Sequence, residues 1–321
     1  MASQITVGGT DVAGLWSTYI IRQAVPGLKA KLFFPDYCEP ALVPRGAGGY
    51  VARWLVPTMR IGSTSALTEG SSGSASNMVT ITSVEGTVAD YGEWFNIGDL
   101  SKETEITEAL DIYRDQVEYA GSGAINTRLY NAAVGSTNFL HAGDTSTAGV
   151  TLASGDILTA QDFPVIAGFF HNQNADGFQK LGGDYMLAIH PNQEVQLVTH
   201  VTNTKLSWSE VNKHVPAGFE ELINNQRFVG RLGGVTALRT TLVGTVTEDV
   251  AAYRAVALAR YGVGWFGIAE KGPKMPRIIM KSPGPTSTND PLDTNHTLGW
   301  KTRMAEKLLS SSRALVVYSV T

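Results

Sequence analysis

The sequence holds a single cysteine, Cys38, in 321 residues. One thiol closes no intrachain disulfide and builds no cysteine zinc site, so burial alone must hold the fold. Charge is scarce too: Asp, Glu, Lys and Arg make up 17% of the chain, against a usual ~25%. The apolar share is an ordinary 43%. Low charge without extra hydrophobicity points to a surface covered partly by other subunits rather than by water. The 25 cations fall short of the 29 acids, for a net −4, which excludes the basic footprint of a general nucleic-acid binder. Long hydrophobic runs are missing as well. The longest apolar tract, 251–269, is broken by Arg254 and Arg260, so no membrane contact is expected. The first cation is Arg22, and no apolar leader core follows the start, so the chain reads as cytosolic at birth. What is plentiful is glycine, 34 residues, about a tenth of the chain where ~7% is usual.

Motifs of chemistry are equally thin. The Walker and HExxH patterns are absent. Gly262, Gly264 and Gly267 spell GxGxxG, but Trp265 and Phe266 fill the turn and Gly272-Pro273 arrives before a helix can form. A pyrophosphate site needs those glycines between strand and helix, so strand curvature is the better reading. The six histidines show no metal-ligand pairing. His190-Pro191 sits at a strand end, where an α/β enzyme could place its site, yet it has no nucleophile elbow and no carboxylate partner, and reads as structural. Lys301, Arg303, Lys307 and Arg313, interleaved with apolar residues, read as a solvated helix face or as subunit contacts. No catalytic, cofactor or metal residue is assigned.

Periodicity divides the chain. Asp11 caps an apolar spacing that predicts a helix over 11–24. Prolines and glycines over 33–49 predict an extended arm with no packed element. Strands are expected over 50–57 and 78–88, joined by the Gly/Ser-rich stretch 62–77. Such a hairpin has too few large apolar residues to bury itself, and an isolated ribbon is marginal in water. Ile106, Leu110, Tyr113, Val117, Ala120, Ala124, Ile125 and Leu129 form one stripe and predict a long helix over 105–134. Its start is acidic, with Asp99, Glu103, Glu105, Glu108, Asp111, Asp115 and Glu118 against Lys102 and Arg114, which suits the helix dipole. Beyond a 135–155 linker, helices are expected over 159–172, 191–201 and 208–224. Strands are expected over 184–190, 234–243, 253–268 (one or two), 276–281 and 314–320. The class is α+β with long arms.

Leu67-Thr68-Glu69-Gly70, then Tyr91-Gly92, then Ile97-Gly98-Asp99-Leu100 resemble marks of the major capsid proteins of tailed bacteriophages, in the short-tailed podovirus-type subset. The resemblance continues at Ala188-Ile189-His190-Pro191, at 230–235, at Asp290-Pro291-Leu292, and at Leu298-Gly299-Trp300-Lys301. The marks keep the family's order from about residue 50 onward; the match is looser before Tyr50 and over 135–155. The resemblance implies an N-terminal arm at 1–49 and an E-loop hairpin at 50–91 that lies across the next subunit. It implies a peripheral domain from 92–159 and 247–321, with its spine helix at 105–134, and an axial domain at 160–246.

It also implies a subunit that self-assembles, as pentamers and hexamers, into a closed icosahedral shell around packaged double-stranded DNA. Scaffolding and portal proteins are the expected partners, the virion the expected location, and the host bacterial cytoplasm the place of assembly. Ala66, Leu67, Thr68, Glu69 and Gly70 are then expected to touch a neighbour. Glu103, Glu105, Glu108, Asp111 and Asp115 are expected to face the DNA, where like charge keeps the genome from sticking. Two alternatives remain: an encapsulin-like nanocompartment shell, told apart by a cargo enzyme in place of DNA, and a cytosolic α/β enzyme using His190.

Overall fold

A computed structural model describes residues 32–41, 51–57, 81–98, 108–143, 152, 155–199, 227–247, 251–268, 276–281 and 295–320. A 3-10 turn, Phe34–Tyr37, opens it, followed by the short strand β1 (Glu39–Pro40). Then come β2 (Val51–Pro57), β3 (Ile81–Thr87), β4 (Ala89–Gly98), helix α1 (Glu108–Val134) and β5 (Phe139–His141). Helix α2 (Asp162–Asn172), β6 (Tyr185–Ile189) and helix α3 (Pro191–Thr199) follow. Apart from a 3-10 turn at Ser311–Arg313, the remaining elements are strands: β7 (Phe228–Leu232), β8 (Val235–Arg239), β9 (Thr245–Thr247), β10 (Ala251–Leu258), β11 (Val263–Ile268), β12 (Arg277–Lys281), β13 (Asn295–Leu308) and β14 (Ala314–Val320). The helices expected over 11–24 and 208–224 lie outside the described residues.

Two sheets share α1 as a common beam. In the five-stranded sheet β13 is the centre: β4 pairs along one edge, while β11 and β12 share the other, and β1 runs parallel to β11. Alternation along β13 sends His296, Leu298, Trp300, Thr302 and Met304 inward. Leu298 and Trp300 meet Val117 of α1, with Tyr113, Ala120 and Ala124 packed beside them. The expected helix face around Lys301, Arg303 and Lys307 is therefore corrected: these residues are the outward half of a strand whose inward half is core. The sequence pattern there has period two, and the cations are its wet positions.

The seven-stranded sheet runs β5-β14-β10-β6-β8-β7, with β9 also on β10. β6 is buried at all five positions. Tyr185, Leu187 and Ile189 pack toward Phe163, Ile166 and Phe170 of α2 and Leu197 of α3. Met186 and Ala188 point the other way, to Ile125, Leu129 and Tyr130 of α1. A strand covered on both sides is a continuous apolar run, which is why 184–190 read so clearly. Buried Tyr130 uses its hydroxyl twice, donating to the Arg254 carbonyl at 2.9 Å and accepting from Gly244 N–H at 3.0 Å. The expected tract 253–268 proves to be two strands in different sheets. The chain turns between them at Tyr261, whose φ is +63°. The seven-stranded sheet also draws strands from both sides of residue 246, since β10 and β14 join β6 and β8.

The arm differs from expectation at its inner end. Phe33, Phe34 and Tyr37 are buried in the core that holds Ile125 and Leu129. Asn126 Oδ1 accepts the N–H groups of Phe33 and Phe34 at 2.9 and 3.1 Å, and β1 adds to the edge of β11. Pro35 sits at the start of the 3-10 turn, where a missing N–H costs nothing. Proline-rich sequence forbade a long element, not a packed one.

Candidate assembly surface

The hairpin base is a two-stranded antiparallel ribbon, β2 against β3, with Val51 opposite Thr87 and Pro57 opposite Ile81. Its two faces have different fates. Ala52 and Trp54 are buried on Phe266 and Ala305 of the five-stranded sheet and on Leu309 just past β13, and the Trp54 indole donates to the Glu39 carbonyl at 3.1 Å. The ribbon base is therefore seated on the rest of its own chain, which supplies the apolar surface that the hairpin itself lacks. Gly264 makes the seat possible, since a Cβ there would lie 2.5 Å from the Trp54 ring. That close approach is what the glycine-rich spelling serves here. The opposite face leaves Val51, Leu55 and Ile81 exposed around an Arg53–Glu85 pair at 2.9 Å. Ala66, Leu67, Thr68, Glu69 and Gly70 lie outside the described residues.

The acidic helix start divides. Glu103 and Glu105 lie outside the described residues, and Glu108 and Asp111 fall in the first turns of α1. Asp115 is exposed, with Arg114 Nη2 at 3.2 Å from its carboxylate. Exposed Ile112 and Tyr119 sit on the same helix face, three residues before it and four after. Glu118 is buried instead, 3.7 Å from Arg114 Nε, so this one acid of the cluster serves packing. At the far end of α1, the Arg128 guanidinium lies over the Tyr91 ring at 4.0 Å and pairs with Glu306. A groove of about 390 Å³ opens beside that pair, lined by Asn131, Gly135 and Lys307 among others.

Two of the motifs that carry the resemblance meet across β4 and β13. Gly92 stands opposite Lys301, and Gly299 opposite Trp94. A Cβ on Gly92 would come within 2.6 Å of the Trp300 carbonyl, and one on Gly299 within 2.6 Å of the Glu93 carbonyl. Close strand approach thus accounts for both glycines. Beside them, Asp90 accepts from Arg303 Nε at 2.7 Å and has Lys301 Nζ at 3.0 Å, and these hydrogen bonds hold its carboxyl below the usual range.

His190 has a local employment. Its ring stacks on Tyr253, centroids 4.5 Å apart, and its Nδ1 accepts the Asn192 N–H at 3.2 Å. Asn192 Nδ2 donates in turn to the Tyr253 hydroxyl at 2.6 Å, closing a clamp between α3 and β10. Burial pushes the imidazole below its ordinary pKa. Among the described residues no group of three or more His, Cys, Asp or Glu side chains gathers to hold a metal ion.

Compared with solved structures, the chain is similar to the capsid of Ralstonia phage GP4. The TM-score is 0.71 at 13% identity, covering 91% of this chain and 92% of that one. It is also similar to the acidic stable capsid structure of Helicobacter pylori bacteriophage KHP30, with TM-score 0.62, 9% identity and coverage of 91% and 90%. The cyanophage P-SCSP1u capsid gives 0.57 at 14% identity, over 90% and 88%. No protein-family model matches the sequence, and a search of curated proteins found no relative. At such identities the likeness is one of fold. The chain has the α+β fold of phage capsid proteins along about nine-tenths of its length.

Proposed function

We propose that this chain is the structural subunit of a tailed-phage capsid, closing with copies of itself into an icosahedral shell around double-stranded DNA. The observation that carries this reading is the fold match to the Ralstonia phage GP4 capsid, which runs nearly end to end in both chains. The low charge and the exposed apolar side chains on the ribbon, on β4, on α1 and on α3 agree with a subunit that spends surface on neighbours. Its mechanism is assembly. Closed symmetry repeats each modest contact around the shell, and contacts made together are far stronger than any one alone.

Within this reading, residues 92–159 and 247–321, with α1 as the spine helix, form the peripheral domain and residues 160–246 the axial domain, the two meeting in the seven-stranded sheet. The hairpin tip at Ala66 to Gly70 reaches a neighbour, and the acidic helix start faces the genome. Scaffolding and portal proteins are the partners during assembly in the host cytoplasm. The nanocompartment alternative is not better supported; the virus-like particle from Pyrococcus furiosus gives a TM-score of 0.50 at 9% identity, over 94% of this chain and 98% of that one. Electron microscopy and sedimentation of the chain, expressed alone and with its scaffold, test the proposal. Rings, sheets or shells are expected, filled with DNA in infected cells; a monomer or dimer under every assembly condition, or particles holding a cargo enzyme, would overturn it.

A further inference from the structure

One face of the five-stranded sheet packs on α1. The other is covered at one end by the ribbon, through Ala305 and Phe266, and beyond it Trp94, Arg277, Lys281, Lys301 and Arg303 are exposed. Strand register lays this part out in rungs. Arg277, Lys301 and Gly92 form one; Ile279, Gly299 and Trp94 the next; Lys281, Thr297 and Asn96 a third. Arg303 and Asp90 stand opposite each other nearer the ribbon. This face therefore carries four cations and one acid, +3 in a chain of net −4, which leaves −7 for everything else.

The middle rung is apolar and anchored by Trp94, 66% exposed. Beside it Gly299 is buried against Trp94, and any Cβ there would lie 2.9 Å from that of Trp94. An exposed indole in the middle of a charged rim has the anatomy of a protein contact, an aromatic centre within a polar border. A duplex bound through its phosphates would use the cations and leave Trp94 and Ile279 without partners. Asp90 already answers Lys301 and Arg303. Arg277 and Lys281 are exposed and form no ion pair among the described residues, so the charge still to be met lies on β12.

We propose that this face is a subunit contact, in which the net-acidic surface of a second copy of this chain covers Trp94 and sets carboxylates against Arg277 and Lys281. The inference rests on the shell reading, because in a shell the neighbours on offer are copies of the same chain, and that chain is acidic everywhere but here in the sum. Charge complementarity then fixes the register of the contact, while the indole supplies its apolar centre.

Acrylamide quenching tests it, with a Trp94→Phe variant subtracted to isolate the one indole among six. Trp94 should be several-fold less quenchable in particles than in dissociated subunits. In particles assembled from mixed light and heavy-isotope chains, a zero-length carbodiimide should join Lys281 to an Asp or Glu of the other isotope. The double variant Arg277→Glu, Lys281→Glu should lower particle yield about tenfold or more while leaving the subunit's melting temperature unchanged. Particles that form with Trp94 as quenchable as in free subunits would overturn this contact and leave the shell standing; a chain that never assembles would sink the shell reading and the contact with it. Protection seen only in DNA-filled particles would assign the face to nucleic acid, and protection seen only with a second protein species would assign it to that protein. Either result overturns the proposal.

Discussion

Single residues decide where chain meets chain in this molecule, and glycine and asparagine do it in opposite ways. Gly264 acts by absence, since the Trp54 ring and Leu309 occupy the space a side chain would take. Gly264→Ala should force the indole off its seat and cost about 1–3 kcal/mol, the usual range for overpacking, as read by urea unfolding. Asn126 acts by presence, accepting two buried N–H groups of the arm. Asn126→Ala strands both donors, at about 1–3 kcal/mol each, and a loss below 1 kcal/mol in the same experiment would show that water replaces it. His190 adds a pH dependence whose sign follows from its environment. Burial lowers the folded imidazole's pKa, so as pH falls through about 6.5 the unfolded chain takes up its proton first. Stability contributed by neutral His190 is therefore full above that range and lost on acidification below it. His190→Gln should flatten the melting temperature's decline between about pH 7 and 5; an unchanged slope would place the acid sensitivity elsewhere.

At the scale of elements, legibility tracked how regularly burial repeats. The long helix declared itself because one apolar stripe runs unbroken from Tyr113 to Leu129, and β6 because both its faces are core. β13 did not, because its outward positions carry Lys301, Arg303 and Lys307 while glycine at 299 breaks the alternation, and the residues that justify that glycine sit on β4, some 200 residues earlier. The packed arm was hidden for a similar reason: Phe33, Phe34 and Tyr37 are only three residues, with prolines around them, and their partners lie on α1. Of the candidate assembly surface, the sequence made the local elements legible and not their packing. Sequence marked the hairpin and the acidic helix start, but the one-sided seating of the ribbon and the burial of Glu118 depend on packing that no local pattern encodes. Trp54 tests the seating. Trp54→Ala should cost about 3–5 kcal/mol if the indole is the anchor. Faster hydrogen exchange should be confined at first to 51–57 and 81–87; exchange unchanged there would mean that the ribbon is held by its own ladder.

At the scale of the molecule, α1 is what makes two sheets one subunit. Its first half lies on the five-stranded sheet through Val117, and its second half on the seven-stranded sheet through Ile125, Leu129 and Tyr130. The core around Leu129 also takes in Val263, Trp265 and Met304 from the five-stranded sheet, so it is shared rather than adjacent. Such a layout predicts joint failure. Leu129 is fully buried, and Leu129→Ala should remove about 2–5 kcal/mol. Because the lost contacts belong to both sheets, protection should fall together in β6, in the seven-stranded sheet, and in β13, in the five-stranded one, and unfolding should stay a single transition. Strain applied at one sheet is then carried by a continuous helix to the other, not absorbed at a hinge between them, which suits the proposed role in a shell. If β13 lost protection while β6 kept it, or if two transitions separated in denaturant, the sheets would be independent units and α1 a linker between them instead of a beam.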